Sequence, residues 1–248
     1  MSTEAFTFHV DSSVDKASAR AASLVAEQIR RKPDSLICVA SGSTPTQTYA
    51  NLGELAAENR YAVDRVSIAK LDEWLELPPD DPHTCESFLR QHVLEPLQIR
   101  ADRYIGFDNQ ATDTLAECRR IETELQNSGG IDIAILGIGI NGHIGLNEPA
   151  AYLQAGCHVA DLAPTTVGHS MLEGTADRVT RGLTMGMRDI LGARRILLLA
   201  FGEHKAEPIR ELLTKRVTTQ FPASFLWLHQ NVTCIFDQAA AASLAGGA

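Results

Sequence analysis

The sequence contains few cysteines, and their positions match neither a metal site nor a disulfide framework. The five cysteines are scattered along the chain and include no Cys-x-x-Cys pair. Zinc-binding and disulfide-rich proteins instead carry closely and regularly spaced cysteines. We therefore expect reduced thiols, as in a cytoplasmic protein, and no metal site. The cysteines are Cys38, Cys85, Cys118, Cys157 and Cys234.

An excess of positive charge and long apolar segments are also absent. The chain carries 22 Lys and Arg residues against 31 Asp and Glu residues, a formal net charge of −9. Because affinity for nucleic-acid phosphates depends on clustered cations, this balance disfavours a general nucleic-acid-binding protein. No stretch has the length of a membrane span, and the N-terminus has no basic segment followed by an apolar one. We expect a cytoplasmic protein that binds neither nucleic acid nor membrane.

The chain does contain the alternation of apolar and helical segments that is typical of an α/β fold. Its 248 residues and 44% hydrophobic content fit one globular domain, residues 1–248. Near-continuous apolar runs indicate strands that are covered on both faces, and with helices between them they predict a doubly wound, mainly parallel sheet of the Rossmann-like type. The predicted strands are Ser35–Ala40, Val66–Leu71, Ile131–Leu136, Arg195–Phe201 and Val232–Phe236. The predicted helices are Val14–Arg31, Pro45–Asn59, Ser87–Leu97, Asp113–Gln126, a segment near Leu183–Leu191, and Ala206–Leu213.

The loop after the first predicted strand has the composition of an anion site. Ser41, Gly42, Ser43 and Thr44 are small, so backbone N–H groups can approach an anion, and a helix N-terminus follows. Thr44 is the candidate N-cap of that helix, with Pro45 at its first position. An ordinary capped turn explains the same residues, and the sequence alone leaves both interpretations open.

Two adjacent carboxylates, beside a tryptophan, follow the second predicted strand. Asp72 and Glu73 stand directly before Trp74. In a partly dry site, burial raises the pKa of a carboxyl group toward the working range of a general base. In adjacent acidic pairs, however, one side chain is usually exposed and the other caps a backbone group, so this motif alone is a weak indication.

The loop after the third predicted strand carries the strongest signal. Residues 137–149 read GIGINGHIGLNEP and contain four glycines, which lets the backbone wrap closely around a ligand. His143 and Glu148 lie five residues apart in a loop, close enough for the carboxylate to orient the imidazole. Such a pair fixes the histidine tautomer and suits acid–base catalysis near neutral pH.

Two basic residues are candidates for binding an anion. Lys205 follows the fourth predicted strand and can reach an anion held by the first loop. Arg181 is a second candidate cation. For Lys205, the commoner alternative is a solvated lysine at the start of a helix.

Together, these motifs resemble the amino-sugar-phosphate deaminases of the glucosamine-6-phosphate deaminase and 6-phosphogluconolactonase superfamily. The likeness covers residues 35–236 and lies in Ser-Gly-Ser-Thr-Pro, Leu-Asp-Glu-Trp, Gly-Ile-Asn-Gly-His-Ile-Gly-Leu-Asn-Glu-Pro and Gly-x-x-Lys. The loop that ends in Asn-Glu-Pro is specific to the deaminases. Lactonases lack the glutamate that stands here at Glu148, and they carry arginine where this chain has Trp74.

Within the deaminases, four segments are similar to galactosamine-6-phosphate deaminase/isomerases: residues 70–74 (KLDEW), 84–86 (TCE), 180–184 (TRGLT) and 222–229 (PASFLWLH). Asn141 departs from the glucosamine enzymes, which carry aspartate there in an Asp-His-Glu relay. The hypothesis is that ring opening depends here on a His143–Glu148 dyad. Alternatively, Asn141 contributes to recognition of the C4 hydroxyl. The basic residues of the family's allosteric site are not evident in residues 151–161.

The resemblance implies conversion of galactosamine 6-phosphate to tagatose 6-phosphate and ammonia, with no cofactor. Asp72 would move a proton from C2 to C1, and His143 with Glu148 and Asn141 would open the sugar ring. The implied substrate-binding residues are Ser41, Gly42, Ser43, Thr44, Glu73, Gly142, Arg181 and Lys205. Glucosamine 6-phosphate as substrate, a 6-phosphogluconolactonase and a sugar-phosphate-sensing module without turnover remain alternatives. The expected partner is a sugar phosphate, and the oligomeric state is open, with a homo-oligomer among the expected states.

Overall fold

The computed structural model of the chain describes residues 6–58, 63–167 and 179–242. Its strands are β1 (Phe6–Asp11), β2 (Leu36–Val39), β3 (Ser67–Lys70), β4 (Asp72–Trp74), β5 (Tyr104–Ile105), β6 (Ile133–Gly137), β7 (His158–Asp161), β8 (Arg181–Thr184), β9 (Ile196–Ala200) and β10 (Val232–Asp237). Its α-helices are α1 (Val14–Arg31), α2 (Ser43–Ala57), α3 (Cys85–Leu89), α4 (Thr114–Asn127), α5 (Pro164–Val167), α6 (Met187–Leu191) and α7 (Ala206–Leu212). A π-helical turn, Arg90–Leu94, continues α3, and 3₁₀ turns span Ala101–Arg103, Glu203–Lys205 and Pro222–Leu228.

The main sheet has seven strands in the order β1-β10-β9-β6-β2-β3-β5, and its strand pairs are parallel. Alternate side chains along each strand enter two different core clusters. Ile37 and Ile135 pack on the face that α1 and α2 cover, whereas Cys38 and Leu136 pack on the opposite face. Because both faces of the inner strands are buried, β2, β6 and β9 are apolar at nearly every position. The predicted doubly wound α/β fold is confirmed.

Helix α1 shows how the local sequence builds one of these layers. Ser13 accepts a hydrogen bond from the backbone N–H of Lys16 at 3.3 Å and caps the helix start. Ala17, Ala21 and Val25 recur at helical spacing and are fully buried, so a single apolar stripe faces the sheet. The described helices include none that is long and apolar enough to cross a membrane.

The direction of the chain along the main sheet reverses between β2 and β6. From β2 the chain continues outward through β3 and β5, and from β6 it continues in the other direction through β9 and β10. At such a switch point the loops after the two strands diverge and leave a crevice. The small-residue loop follows β2 and the histidine loop follows β6, so the topology brings these two motifs together.

A smaller antiparallel sheet, in the order β4-β8-β7, lies at the same end. Leu71 joins the two sheets, because its N–H donates to Val39 O at 3.1 Å and its carbonyl accepts from Met185 N at 3.0 Å. Strand β4 begins at the next residue, and Asp72 pairs in register with Thr184 of β8. Asp72 therefore stands at the junction of the two sheets.

The structure corrects two of the predicted helices. The segment near Leu183–Leu191 is not one helix, because residues 181–184 form β8 in the small sheet and only Met187–Leu191 is helical. Helix α2 begins at Ser43, with Gly42 as its N-cap and no side-chain cap, so Thr44 is not the cap. The predicted end of that helix at Asn59 lies outside the described residues. The predicted strands and the other helices are confirmed to within a few residues at each end.

Candidate active site

A cavity of about 280 Å³ opens at the carboxyl ends of β2, β3, β6 and β9. It brings together seven of the residues that the sequence predicted for the site. These are Ser41, Gly42, Ser43, Thr44, Asp72, His143 and Lys205. The strand-end loops that the sequence selected therefore line one space.

The anion loop, residues 41–44, forms one wall. Gly42 has φ +115°, a conformation that residues with a Cβ rarely adopt, and this bend lets the chain enter α2 directly at Ser43. The N-cap residue Gly42 has no side chain that could cap α2, so the first backbone N–H groups of this helix remain available as donors beside the cavity. The N-terminus of this helix of 15 residues also carries the positive end of the helix dipole.

Lys205 adds a cation to the lining of the same cavity. Its Nζ donates to the carbonyl of Ile138 at 2.7 Å, which directs the ammonium group toward the loop after β6. Burial lowers its pKa. Burial of a positive charge is favourable only if an anion compensates it, so this lysine and the anion loop have the chemistry to hold an anion such as a phosphate group.

Asp72 lines the cavity from the junction of the two sheets. Its side chain is buried, with 8% of the residue exposed. Burial and then the nearby charge of Glu73 raise the pKa of Asp72 to about 7, against the opposing effects of a hydrogen bond from Cys85 and the charges of His143 and Lys70. A carboxyl group in this range can both accept and release a proton at neutral pH, as a general base requires.

Glu73 points away from the cavity, which differs from the prediction that it binds substrate. One of its carboxylate oxygens accepts hydrogen bonds from Lys70 Nζ at 2.7 Å and from Glu86 N at 2.8 Å. The other accepts from Trp74 N at 2.8 Å and from Cys85 N at 2.9 Å. Because four donors surround a side chain that is 1% exposed, Glu73 holds the start of α3 against β4.

His143 contacts Asn141 more closely than it contacts Glu148, its partner in the dyad hypothesis. The Asn141 Nδ2 group donates to Glu148 Oε2 at 2.8 Å, since an ionised carboxylate can only accept. The amide oxygen then faces His143, at 3.2 Å from its backbone N and 2.9 Å from Nδ1. Nδ1 therefore carries the proton, and Nε2 keeps the lone pair for acid–base chemistry.

Glu148 completes this network from behind the histidine. Its Oε2 lies 3.5 Å from His143 Nδ1, whereas Oε1 accepts from Thr166 Oγ1 at 2.5 Å and from Ala163 N at 3.4 Å. Thr166 Oγ1 is also 3.2 Å from His143 Nδ1, so this hydroxyl donates to Glu148 and can accept from the imidazole. Burial opposes ionisation of Glu148, but the hydrogen bond and charge of His143 outweigh it, with help from Thr166 and Asn141, and lower its pKa.

Two further predicted residues lie outside the cavity lining. Arg181 is exposed on β8 and forms an ion pair with Glu76 at 2.9 Å, because strand β8 directs its side chain to the surface. Gly142 is buried beside Phe221, and its carbonyl accepts from Ala223 N at 2.8 Å. With φ +83° and the Phe221 ring in the space of a side chain, Gly142 allows the loop to turn rather than contacting substrate.

Sequence reasoning missed several residues that surround the site. Thr165 and Thr166 on α5 and His204 before α7 line the cavity, and Cys85 contacts Asp72 from behind. The sequence analysis did not single out the two threonines, because they follow β7, a short strand of the small sheet that was not predicted. Cys85 stands inside a segment noted only for its family likeness, where a hydrogen-bonding role has no local signature.

A family model described as glucosamine-6-phosphate isomerases/6-phosphogluconolactonase matches residues 9–235. The chain belongs to this family. It is 44% identical over 220 residues to the protein named "Putative deaminase AgaI" of Escherichia coli (strain K12), covering 89% of this chain and 87% of that protein. It is 41% identical over 229 residues to a glucosamine-6-phosphate deaminase of Halothermothrix orenii, covering 92% and 95% of the two chains.

The structure is also similar to a solved structure of a monomeric glucosamine-6-phosphate deaminase. The TM-score is 0.90 at 34% identity, and the match covers 96% of this chain and 99% of that one. The predicted identity as an enzyme of the amino-sugar-phosphate deaminase/isomerase type is confirmed. That solved relative is a monomer, and a homo-oligomer stays a prediction for this chain.

Proposed function

We propose that this chain converts D-galactosamine 6-phosphate to D-tagatose 6-phosphate and ammonia. The observation that carries the proposal is the lining of one cavity by an anion loop, a lysine, a histidine with a free Nε2 and a carboxyl group with a pKa near 7. An amino-sugar phosphate undergoing isomerisation needs each of these groups. The family match supports the same reaction type.

The phosphate group binds at the end formed by residues 41–44 and Lys205. Backbone N–H groups at the start of α2 and the ammonium group are donors that suit a dianion. Binding this remote group positions the sugar carbons beside the acid–base residues, so part of the binding energy lowers the barrier of the chemical steps.

Ring opening falls to His143. With its Nδ1 proton shared between Asn141 Oδ1 and Thr166 Oγ1, the free Nε2 can take a proton from the anomeric hydroxyl and return it to the ring oxygen. Glu148 holds both of those partners in place and stabilises the positive charge that the imidazole acquires.

Isomerisation falls to Asp72. Its carboxylate removes the proton from C2 of the open-chain amino aldehyde, and the electron pair forms the C1–C2 double bond. The C=O π electrons move to the C1 oxygen, which takes a proton from the substrate's own ammonium group, so that an enolamine forms. The same carboxyl group then delivers the proton to C1, which leaves an iminium group at C2. Water adds to C2, and the carbon–nitrogen bond breaks to release ammonia and leave the ketone. Transfers of this kind contribute about 10²–10⁴-fold each when the base is positioned.

The choice of galactosamine over glucosamine derives from the sequence segments around the site. Residues 70–74, 84–86, 180–184 and 222–229 are similar to those of galactosamine-6-phosphate deaminase/isomerases. Glucosamine 6-phosphate is the second candidate, favoured by the glucosamine-6-phosphate deaminases at 41% and 34% identity. The presence of Glu148 and Trp74 argues against the lactonase reaction, and the free Nε2 and the raised pKa of Asp72 argue against a module that only binds.

The test measures ammonia and ketose 6-phosphate released from both amino-sugar phosphates, with hydrolysis of 6-phosphogluconolactone measured in parallel. We expect ammonia from galactosamine 6-phosphate with the higher kcat/KM, and activity that falls as the pH drops below about 7, because Asp72 must be ionised. Asp72→Asn is the matched inactive control. A higher kcat/KM for glucosamine 6-phosphate would reverse the substrate assignment, and lactone hydrolysis without ammonia would refute the reaction.

A further inference from the structure

The Asp72 carboxylate has an unusual hydrogen-bond partner. Among the described residues, the side-chain donor that contacts it is the thiol of Cys85, with Sγ 3.7 Å from Oδ1. The thiol is fully buried, and burial raises the pKa of Cys85 well above its ordinary range, so it keeps its proton. A protonated thiol facing a carboxylate acts as the donor.

The same sulfur also contacts the anion loop. Ser41 Oγ lies 3.0 Å from Cys85 Sγ and donates its hydroxyl proton to the sulfur. The three side chains thus form a chain of hydrogen bonds from the loop to Asp72, and each bond in such a chain polarises the next. The thiol connects the two walls of the cavity.

The position of Cys85 is tightly held. Its N–H donates to Glu73 Oε1 at 2.9 Å, and Thr84 caps α3 by accepting from Ser87 N at 3.0 Å. The buried carboxylate of Glu73 thus places the sulfur, and the sulfur contacts the neighbouring carboxylate. This gives the adjacent acidic pair two distinct tasks.

We propose that Cys85 is a positioning residue that holds the Asp72 carboxylate toward the cavity and favours its ionised form. The proposal rests on the proposed function only in taking Asp72 as the base. Other groups also act on Asp72: Glu73 opposes its ionisation, His143 and Lys70 favour it, and Cys38 and Tyr49 are buried nearby in their neutral forms. None of these groups changes when the thiol alone is replaced.

The experiment titrates the Asp72 carboxyl group directly, by infrared difference spectroscopy of the substrate-free protein, with Asp72→Asn to assign the band. Cys85→Ala and Cys85→Val remove the donor, and Val also preserves buried volume. Both are expected to shift the titration midpoint upward by about half to one pH unit. Cys85→Ser, which retains a donor, should return the midpoint toward that of the wild type. Cys234→Ala, which removes a buried thiol from β10, is the control and should leave the midpoint unchanged.

The acidic limb of the kcat/KM profile should move upward by the same amount in the Ala and Val variants. An unchanged midpoint in both variants, an equal shift in Cys234→Ala, or a Ser variant that titrates like Ala would each overturn the proposal. If no protein in the series releases ammonia but the midpoints shift as expected, the link between Cys85 and Asp72 stands and the proposed reaction falls.

Discussion

Two carboxylates at the site occupy opposite environments. Asp72 is contacted by one weak thiol donor, and burial raises its pKa to about 7. Glu148 accepts hydrogen bonds from Asn141, Thr166 and Ala163, and its pKa is lowered. A carboxyl group with few donors is suited to exchange protons, whereas one with several donors stays ionised and orients its neighbour. Burial is the largest influence on both groups: it dominates at Asp72, whereas His143, Thr166 and Asn141 outweigh it at Glu148.

The largest expected effect comes from replacing the proton-exchanging carboxylate. Asp72→Asn should lower kcat by about 10³-fold or more, because an amide cannot take the C2 proton. Affinity for a sugar 6-phosphate, measured by calorimetry, should be retained, since the phosphate end of the cavity is unchanged. Turnover within a few-fold of the wild type would show that another group is the base.

The two carboxylates should also affect stability with opposite signs. Because the pKa of Asp72 is raised from 3.8 to about 7 in the folded protein, its contribution to stability is lost as the pH rises through 7. Asp72→Asn should therefore be more stable than the wild type at pH 8, by on the order of 3 kcal/mol, and the gain should vanish at low pH.

For Glu148 the sign is reversed, because its lowered pKa contributes stability above its ordinary value of 4.5 that is lost as the pH falls. Glu148→Gln should be less stable at neutral pH by about 1–3 kcal/mol. Urea unfolding of both variants at several pH values measures these changes. Effects of the same sign would contradict the assignment of opposite environments.

Replacing Lys205, at the proposed phosphate end of the cavity, should leave the acid–base roles of Asp72 and Glu148 unchanged. Lys205→Ala should raise KM about 10–100-fold and change kcat much less, because the phosphate is remote from the reacting carbons. Arg181→Ala, which removes an exposed ion pair with Glu76, is the matched control and should leave KM within about twofold. A KM for Lys205→Ala equal to that of the control would show that the lysine does not bind the phosphate group.

The smallest effect on catalysis is expected from replacing Thr166, which contacts both Glu148 and His143. Thr166→Val removes the hydroxyl that bridges Glu148 and His143 and should lower kcat about tenfold, with KM nearly unchanged. Thr165→Val is the control, because among the described residues Thr165 contacts the network through the Asn141 amide, at 3.3 Å. Equal losses in both variants would mean that the hydroxyl of Thr166 does not position the histidine.

Much of the fold could be predicted because the information is local. Five core strands and helix α1 are continuous apolar or amphipathic segments, whose periodicity is a property of the chain itself. The small sheet was missed because its strands have three or four residues and gain stability only from pairing across distant segments. Strand β8 was read as part of a helix for the same reason, since four residues pair with β4 and β7.

The sequence by itself determined which loops carry the candidate catalytic residues, because strand ends and turns of small residues can be recognised from a few consecutive residues. It also selected Asp72, His143 and Lys205, which line the cavity. Only the tertiary structure decided the roles of residues that the sequence alone had placed in the site alongside them. Glu73 is surrounded by donors from the start of α3, Arg181 faces solvent, and Asn141 stands between Glu148 and the imidazole. Those roles depend on where each side chain points and on hydrogen-bond partners many residues away in the sequence. A local sequence pattern contains neither kind of information.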